Sequence, residues 1–381
     1  MNKRVGIIRC GDYDPERVYR ALHKAVDLAE GLDLQDKTVL LKPNILFDAP
    51  PEKALTTHPV FLQAAIRICQ DHGASEIYVG DSPGFQKPGF SGRTSGLRQV
   101  TEACDATWVD FTKNPFDLDC PEGRVSRQFT VGGIVRQVDR IISLPKLKTH
   151  QLMYFTGSLK NLFGLVPNLL KSPYHLRHPS RGGFAAMIVD LASAVQAHYA
   201  FMDAVVGMEG PGPAGGYPRP VGLVLASPNL LALDVTAGRI VGYPDKELPI
   251  HTEALSRRLW LESFSDIETL GEDPADLVIR DFKKIAIKKS GSQLLDFTGG
   301  RYLRPLRQAL EPRPVFLKDT CIKCGDCIKI CPAHALEFLG RGPARRVVID
   351  YSSCIRCYCC HEICPADAIE IKIKPFSRRI R

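Results

Sequence analysis

The chain has 381 residues, more than one compact core usually holds, which excludes a lone small module. Hydrophobic residues at 44% and charged residues at 24% exclude wholesale disorder and collagen-like composition. The formal charge of +8 invites a nucleic-acid partner, but no aromatic stacking pattern accompanies it, and no stretch of about 18 apolar residues offers a membrane span.

The start of the chain turns polar after a few residues instead of running into an apolar leader, so a cytoplasmic location is expected. From residue 1 to about 290, short β-branched runs alternate with helical patterns. This predicts an α/β domain on a mostly parallel sheet with flanking helices. The strands expected are 5–8, 38–41, 76–80, 108–110, 140–144, 200–206 and 221–226. Helices are expected over 15–30, 59–71, 93–104, 184–196 and 230–240.

Polar residues gather after four of these strands: Lys42-Pro43-Asn44, Asp81-Ser82-Pro83-Gly84, Pro145-Lys146-Leu147-Lys148-Thr149-His150 and Gly207-Met208-Glu209-Gly210. The carboxyl ends of strands in an open α/β sheet form the crevice where ligands bind, so four turns on one edge predict a substrate cleft. Lys42, Lys146, Lys148 and Lys160, with Asn44 and Asn161, are its expected binding residues, and Lys171 to His175 follow close behind. Ammonium groups gathered in a cleft repel one another and want an anion, so a small carboxylate- or phosphate-bearing substrate is expected. His150 and His175 are candidate proton donors, and Asp81 and Glu209 candidate bases or metal ligands. Singly, each also fits the capping residue of a strand-to-helix turn; the argument rests on the set. Gly210-Pro-Gly212-Pro-Ala-Gly215 satisfies G-x-G-x-x-G in letters, but its prolines stand where a helix must begin. It predicts a shaped loop beside Glu209, not a dinucleotide site.

These turns, with Gly157-Ser-Leu-Lys160-Asn161-Leu-Phe-Gly164 and Met208-Glu209-Gly210-Pro-Gly-Pro, make residues 1 to about 285 resemble the domain-of-unknown-function 362 family, often fused to a two-cluster ferredoxin. The resemblance implies no assigned reaction. The layout is more distantly similar to the amino-terminal half of nickel-dependent lactate racemase, whose metal-binding histidine pattern is not evident here.

A stretch rich in Gly and Pro, 291–314, reads as a connector. Beyond it, nine of the 13 cysteines fall between Cys321 and Cys364. Cys321, Cys324, Cys327 and Cys331 read C-x2-C-x2-C-x3-C before Pro332; Cys354, Cys357, Cys360 and Cys364 repeat this 33 residues later before Pro365. The echo marks an internal duplication. Three thiolates on one tight loop can reach three irons of a cuboidal cluster, and in this pattern the fourth cysteine of each run ligates the other cluster. Cluster one is thus expected on Cys321, Cys324, Cys327 and Cys364, and cluster two on Cys354, Cys357, Cys360 and Cys331.

The segment resembles bacterial two-cluster ferredoxins, here 315–373 with a basic tail over 374–381. Zinc does not use this register, and reading Cys357 to His361 as a haem C-x-x-C-H would take two cluster cysteines. Cys359 has no slot and reads as a bystander; Cys10, Cys69, Cys104 and Cys120 read as packing residues. The sequence therefore predicts an iron–sulfur oxidoreductase passing electrons between two [4Fe-4S] clusters and a small anionic substrate, with neither membrane nor nucleic acid as partner. The alternatives are an electron-transfer or ligand-sensing protein docking to a redox partner, or a non-redox isomerase or lyase with structural clusters.

Overall fold

The computed structural model describes residues 2–84, 92–287 and 312–372. In chain order the first unit runs β1 (Arg4–Arg9), α1 (Pro15–Ala29), β2 (Thr38–Pro43), α2 (Pro59–Asp71), β3 (Glu76–Val79), α3 (Leu97–Ala103) and β4 (Thr107–Trp108). The hairpin β5 (Phe116–Asp119) and β6 (Gln128–Val131) stands apart, before β7 (Arg140–Leu144), β8 (Lys146–His150) and β9 (Tyr154–Phe155). Then come α4 (Ser158–Asn161), α5 (Ser172–Arg177), α6 (Arg181–Val195), β10 (Tyr199–Glu209), β11 (Tyr217–Ser227), α7 (Leu230–Ile240), α8 (Pro249–Ser256) and β12 (Glu268–Gly271).

The sheet is ordered β12-β1-β11-β10-β7-β2-β3-β4, with β8 on β10 and β9 on β8. Pairing is parallel from β10 through β7, β2 and β3 to β4; β11 runs antiparallel to both β1 and β10. Strand alternation sorts side chains between two cores. Leu40 faces the one built with α6, α7 and α8, while Val39 and Leu41 face the one built with α1, α2 and α3. Helix α1 shows the local logic: Asp14 accepts from Arg17 N at 2.9 Å as N-cap, Pro15 opens the first turn, and Val18, Leu22, Ala25 and Val26 form the buried stripe.

The expected helices 59–71 and 230–240 match α2 and α7, whereas that expected over 93–104 begins only at Leu97. The second unit comprises β13 (Arg313–Phe316), α9 (Asp326–Ile330), β14 (Leu336–Leu339), β15 (Arg346–Ile349), α10 (Cys359–Ile363) and β16 (Ile369–Lys372). β13 pairs with β16 and β14 with β15, both antiparallel. The duplication reaches the backbone: positive φ recurs at Lys323 and Arg356, Gly325 and Tyr358, and His334 and Asp367. The expected connector ends inside β13, which takes Arg313 and Pro314; its residues 291–311 and the basic tail lie outside the described residues.

One buried carboxylate sets the position of α4. Asp234 accepts from Ser158 N at 2.6 Å, Leu159 N at 3.0 Å and Ser158 Oγ at 2.8 Å, capping the helix that carries Lys160 and Asn161. A Cβ at Gly157 would stand 2.3 Å from that carboxylate, so only glycine allows the approach. Asp234→Ala leaves those amides unpaired and should cost roughly 2–4 kcal/mol, with Asp234→Asn, which keeps an acceptor, losing less. Urea unfolding of the two variants checks the difference.

Candidate active site

The carboxyl ends of β2, β3 and β8 meet α4, α5 and the ferredoxin-like unit around a cleft of about 860 Å³, counting its open mouth. Lys42, Asn44, Asp81, Lys148, His150, Lys160, Asn161 and His175 all line it. The route by which they arrive differs from the one expected. Of the four polar segments only Asp81-Ser82-Pro83-Gly84 leaves its strand as a loop. Lys42 and Pro43 end β2, Lys146 to His150 are strand β8, and Glu209 ends β10. β10 is long enough to pair first with β7 and then with β8, through Asp203↔Lys146 and Met208↔Lys148, so the chain after Pro145 pairs instead of turning.

Burial divides the lysines by what they touch. Lys42 Nζ, fully buried, spends its three donors on Asp81 Oδ1 at 2.8 Å, Pro43 O at 2.9 Å and Asn161 Oδ1 at 3.1 Å. Asp81 is equally occupied: Oδ1 also accepts from Ser82 N, and Oδ2 from Ile45 N at 2.6 Å. Both line the cleft as expected, yet each spends its hydrogen bonds on the protein itself. A Cβ on Gly164 would fall 2.0 Å from Asp81 Oδ1, which accounts for the glycine closing the Gly157–Gly164 motif.

Among the described residues Lys148 Nζ donates only to Leu55 O, at 2.9 Å, and burial, then the nearby Lys160 charge, pushes its pKa down to about 7. Lys160 has no hydrogen-bond partner among the described residues, and burial lowers it against the attraction of Glu362. Lys171 also falls to about 7 through burial, but its ammonium is engaged by Ser82 O at 2.6 Å and by Val166 O.

Both histidines are uncharged at neutral pH, since burial lowers each to about 4. His150 Nδ1 accepts from Leu152 N at 3.1 Å and Met153 N at 3.2 Å, which puts the proton on Nε2, 3.2 Å from Glu362 Oε1. His175 stacks on Phe184 with centroids 4.4 Å apart, and its buried Nδ1 has no hydrogen-bond partner among the described residues.

Two expected residues lie elsewhere. Lys146, two positions back along β8 from Lys148, is buried against Asp203 Oδ2 at 2.8 Å and the Tyr13 hydroxyl at 2.7 Å. Glu209 accepts from Lys283 N at 3.0 Å and holds that chain segment. The glycine–proline loop is shaped as expected: Thr149 Oγ1 donates to Gly210 O, and Pro211 O lies 3.0 Å from His361 Nε2. Removing one partner of a buried ion pair costs about 3–5 kcal/mol. Lys146→Ala should therefore lower the unfolding free energy by that order, and calorimetry on the folded variant should find anion affinity within about twofold of wild type.

The far wall of the cleft comes from the ferredoxin-like unit: Ile330, Cys359, Glu362 and Ile363. Among these, His150, Lys160 and His175 outweigh the burial penalty on Glu362 and hold its carboxyl down to about 2. Glu362 escaped the sequence reading, and Cys359 was read there as a bystander. The signal was present, because they are departures from the repeat: Cys359, His361 and Glu362 stand where the first copy has Asp326, Ile328 and Lys329.

Two further cavities, of about 340 and 330 Å³, lie inside that unit. Cys321, Cys324, Cys327 and Cys364 line the first; Cys331, Cys354, Cys357 and Cys360 line the second. In both copies an amide four residues on donates to the sulfur, Ala335 N to Cys331 Sγ and Ala368 N to Cys364 Sγ, each at 3.3 Å. Thiols spread around a cavity, with N–H groups aimed at sulfur, are a donor set that fits a cubane. Cys359 lines the second cavity as well as the cleft.

Comparison with known proteins agrees with this division. The family described as Domain of unknown function (DUF362) matches residues 39–239, and the 4Fe-4S dicluster domain matches residues 320–368. The Thylakoid-associated protein sll1697 of Synechocystis sp. is 29% identical over 291 residues, 74% of this chain and 88% of that protein. A solved structure from Thermotoga maritima is 12% identical with a TM-score of 0.35, covering 56% of this chain and 55% of that one. Lactate racemase apoprotein from Thermoanaerobacterium thermosaccharolyticum is 14% identical with a TM-score of 0.36, covering 56% and 53%. The chain spans about half the length of these solved structures, and likeness at that level says nothing of chemistry. Among the described residues no helix is long and apolar enough to cross a membrane. On the extent of the match, the chain belongs to the DUF362 family, and it ends in a 4Fe-4S ferredoxin-type domain.

Proposed function

We propose that the protein is a cytoplasmic iron–sulfur oxidoreductase whose cleft holds a small anion beside one of two [4Fe-4S] clusters. The ligands of that cluster are Cys354, Cys357, Cys360 and Cys331; those of the other are Cys321, Cys324, Cys327 and Cys364. The observation that carries the reading is Cys359, which borders both the cleft and the cavity of the first set. When bound, each cluster supplies one-electron exchange at a potential tuned by burial, charge and hydrogen bonds to sulfur.

The chain's own side chains supply the rest. Lys148 and Lys160, short of partners, hold the anion, and the Lys42–Asp81 pair keeps Asn161 and Asn44 in place around it. His150 is locked as a donor at Nε2, so His175, with its unpaired Nδ1, is the group that exchanges a proton in the cleft. Covalent fusion keeps the two halves of such a reaction at high effective concentration.

The test starts from anaerobically prepared protein with iron and sulfide counted. Titrating the reduced form with small reducible carboxylates, 2-oxo and α,β-unsaturated acids, should find an anion that takes the electrons and reoxidises it, with phosphate as the non-reducible control, and Lys148→Ala should slow that reoxidation about tenfold or more. If no anion reoxidises the protein, or the substitution changes nothing, the reading fails.

A pH dependence follows from Lys148, whose pKa burial brings to about 7. Only the ammonium binds an anion, so affinity should be level below about pH 6 and fall by up to about tenfold per unit as pH rises above 7. A dissociation constant that stays flat from about pH 6 to 9 in calorimetry would contradict the assignment of Lys148.

A further inference from the structure

The two cysteine cavities sit in opposite surroundings. The one formed by Cys331, Cys354, Cys357 and Cys360 abuts the cleft. The one formed by Cys321, Cys324, Cys327 and Cys364 faces outward, with Cys324 exposed and Ile322 64% exposed. Beside it runs a groove that shares Cys321 as a wall and is lined by Lys318, Lys323, Arg345 and Arg346, with no carboxylate in the lining. Leu339, 49% exposed, is paired directly opposite Arg346 across the β14–β15 ladder.

An apolar centre with a charged rim is the anatomy of a protein interface. The four cations are more than the cluster needs. An oxidised cubane with its four thiolates carries about two negative charges, against four cations in the lining of the groove that adjoins it. The duplication sharpens the point: Lys323 is exposed, whereas its counterpart Arg356 is buried, so at this repeat position the outward cluster presents a cation to solvent and the other does not.

We propose that this face is the docking surface of an acidic one-electron carrier protein, steered by Lys318, Lys323, Arg345 and Arg346 and seated on Ile322 and Leu339. Exchange across it is outer-sphere: the carrier gives up one electron and is oxidised, the module gains that electron and is reduced, and no bond forms or breaks. The proposal rests on the reading of the module as a two-cluster unit and is independent of the chemistry in the cleft. It places docking on residues of the module itself, not on the basic tail.

The experiment uses the full chain, loaded with iron and sulfide, and a plant-type acidic ferredoxin as the probe carrier. Binding of the oxidised carrier is measured by calorimetry, and reduction of the chain by the reduced carrier is followed by stopped flow, both at low and high salt. Wild type should show binding and a reduction rate that fall steeply with salt. Lys318→Glu combined with Arg346→Glu should lower the low-salt rate about tenfold and flatten the salt dependence, while photoreduction by a deazaflavin still reduces the variant fully. Leu339→Ser should weaken binding with the salt dependence kept, and truncation after Lys372 should leave the rate within about twofold.

A loaded wild type whose binding and rate ignore salt, a double variant as fast as wild type, a carrier that does not reduce the wild type, or a loss confined to the truncation would each overturn the docking surface alone. A chain that takes up no iron would overturn the two-cluster reading itself.

Discussion

A buried ammonium must find a partner or lose its charge, and that constraint decides what each lysine of the cleft does. Lys42 and Lys146 each meet a carboxylate at 2.8 Å and so tie strands together. Lys171 is satisfied by carbonyls. Lys148 is as enclosed as these, with a single acceptor among the described residues, and half-buried Lys160 has none there. Burial works against the charge of both, a cost that an anion in the cleft would offset.

The cleft is closed by the ferredoxin-like unit, whose docking is polar and specific. His150 faces Glu362, Pro211 O meets His361, and Ser172 Oγ reaches Ile330 O at 3.3 Å. These contacts fall on α9 and α10, the helices that follow the first two cysteines of each run and carry the third. The same short helices therefore shape the cluster cavities and the wall of the cleft. A change in charge on one side is felt on the other through fixed neighbours, with no moving part required.

How much of this was legible in the sequence follows the range of the forces involved. The duplicated cysteines were plain because ligation demands local spacing. Helices α2 and α7 were plain because Pro59 and Asn229 mark their starts beside strong apolar patterns. Strand β8 was read as a turn because its first residues pair only with β10, more than fifty residues away along the chain, and its last two with the two-residue strand β9, too short to give a pattern of its own. That error carried two others with it: Lys146 was grouped with Lys148 although Asp203 claims it, and Glu209 was placed in the cleft although Lys283 holds it. Asp81 looked like a free carboxylate for the same reason, since its partners come from β2 and the loop that follows it. Glu362 was hidden in a motif whose cysteines account for it so fully that it drew no notice, and Cys359, seen as a thiol without a slot, was read as a bystander.

The central claim is that one cubane borders the anion held by Lys148 and Lys160. Electron paramagnetic resonance of the reduced, fully loaded protein tests it most directly, recorded with and without an anion that calorimetry shows to be bound. One of the two cluster signals should shift on binding while the other stays, and Lys148→Ala should abolish the shift. If both signals are unchanged with the anion bound, the cluster and the cleft are not neighbours in function and the claim is wrong.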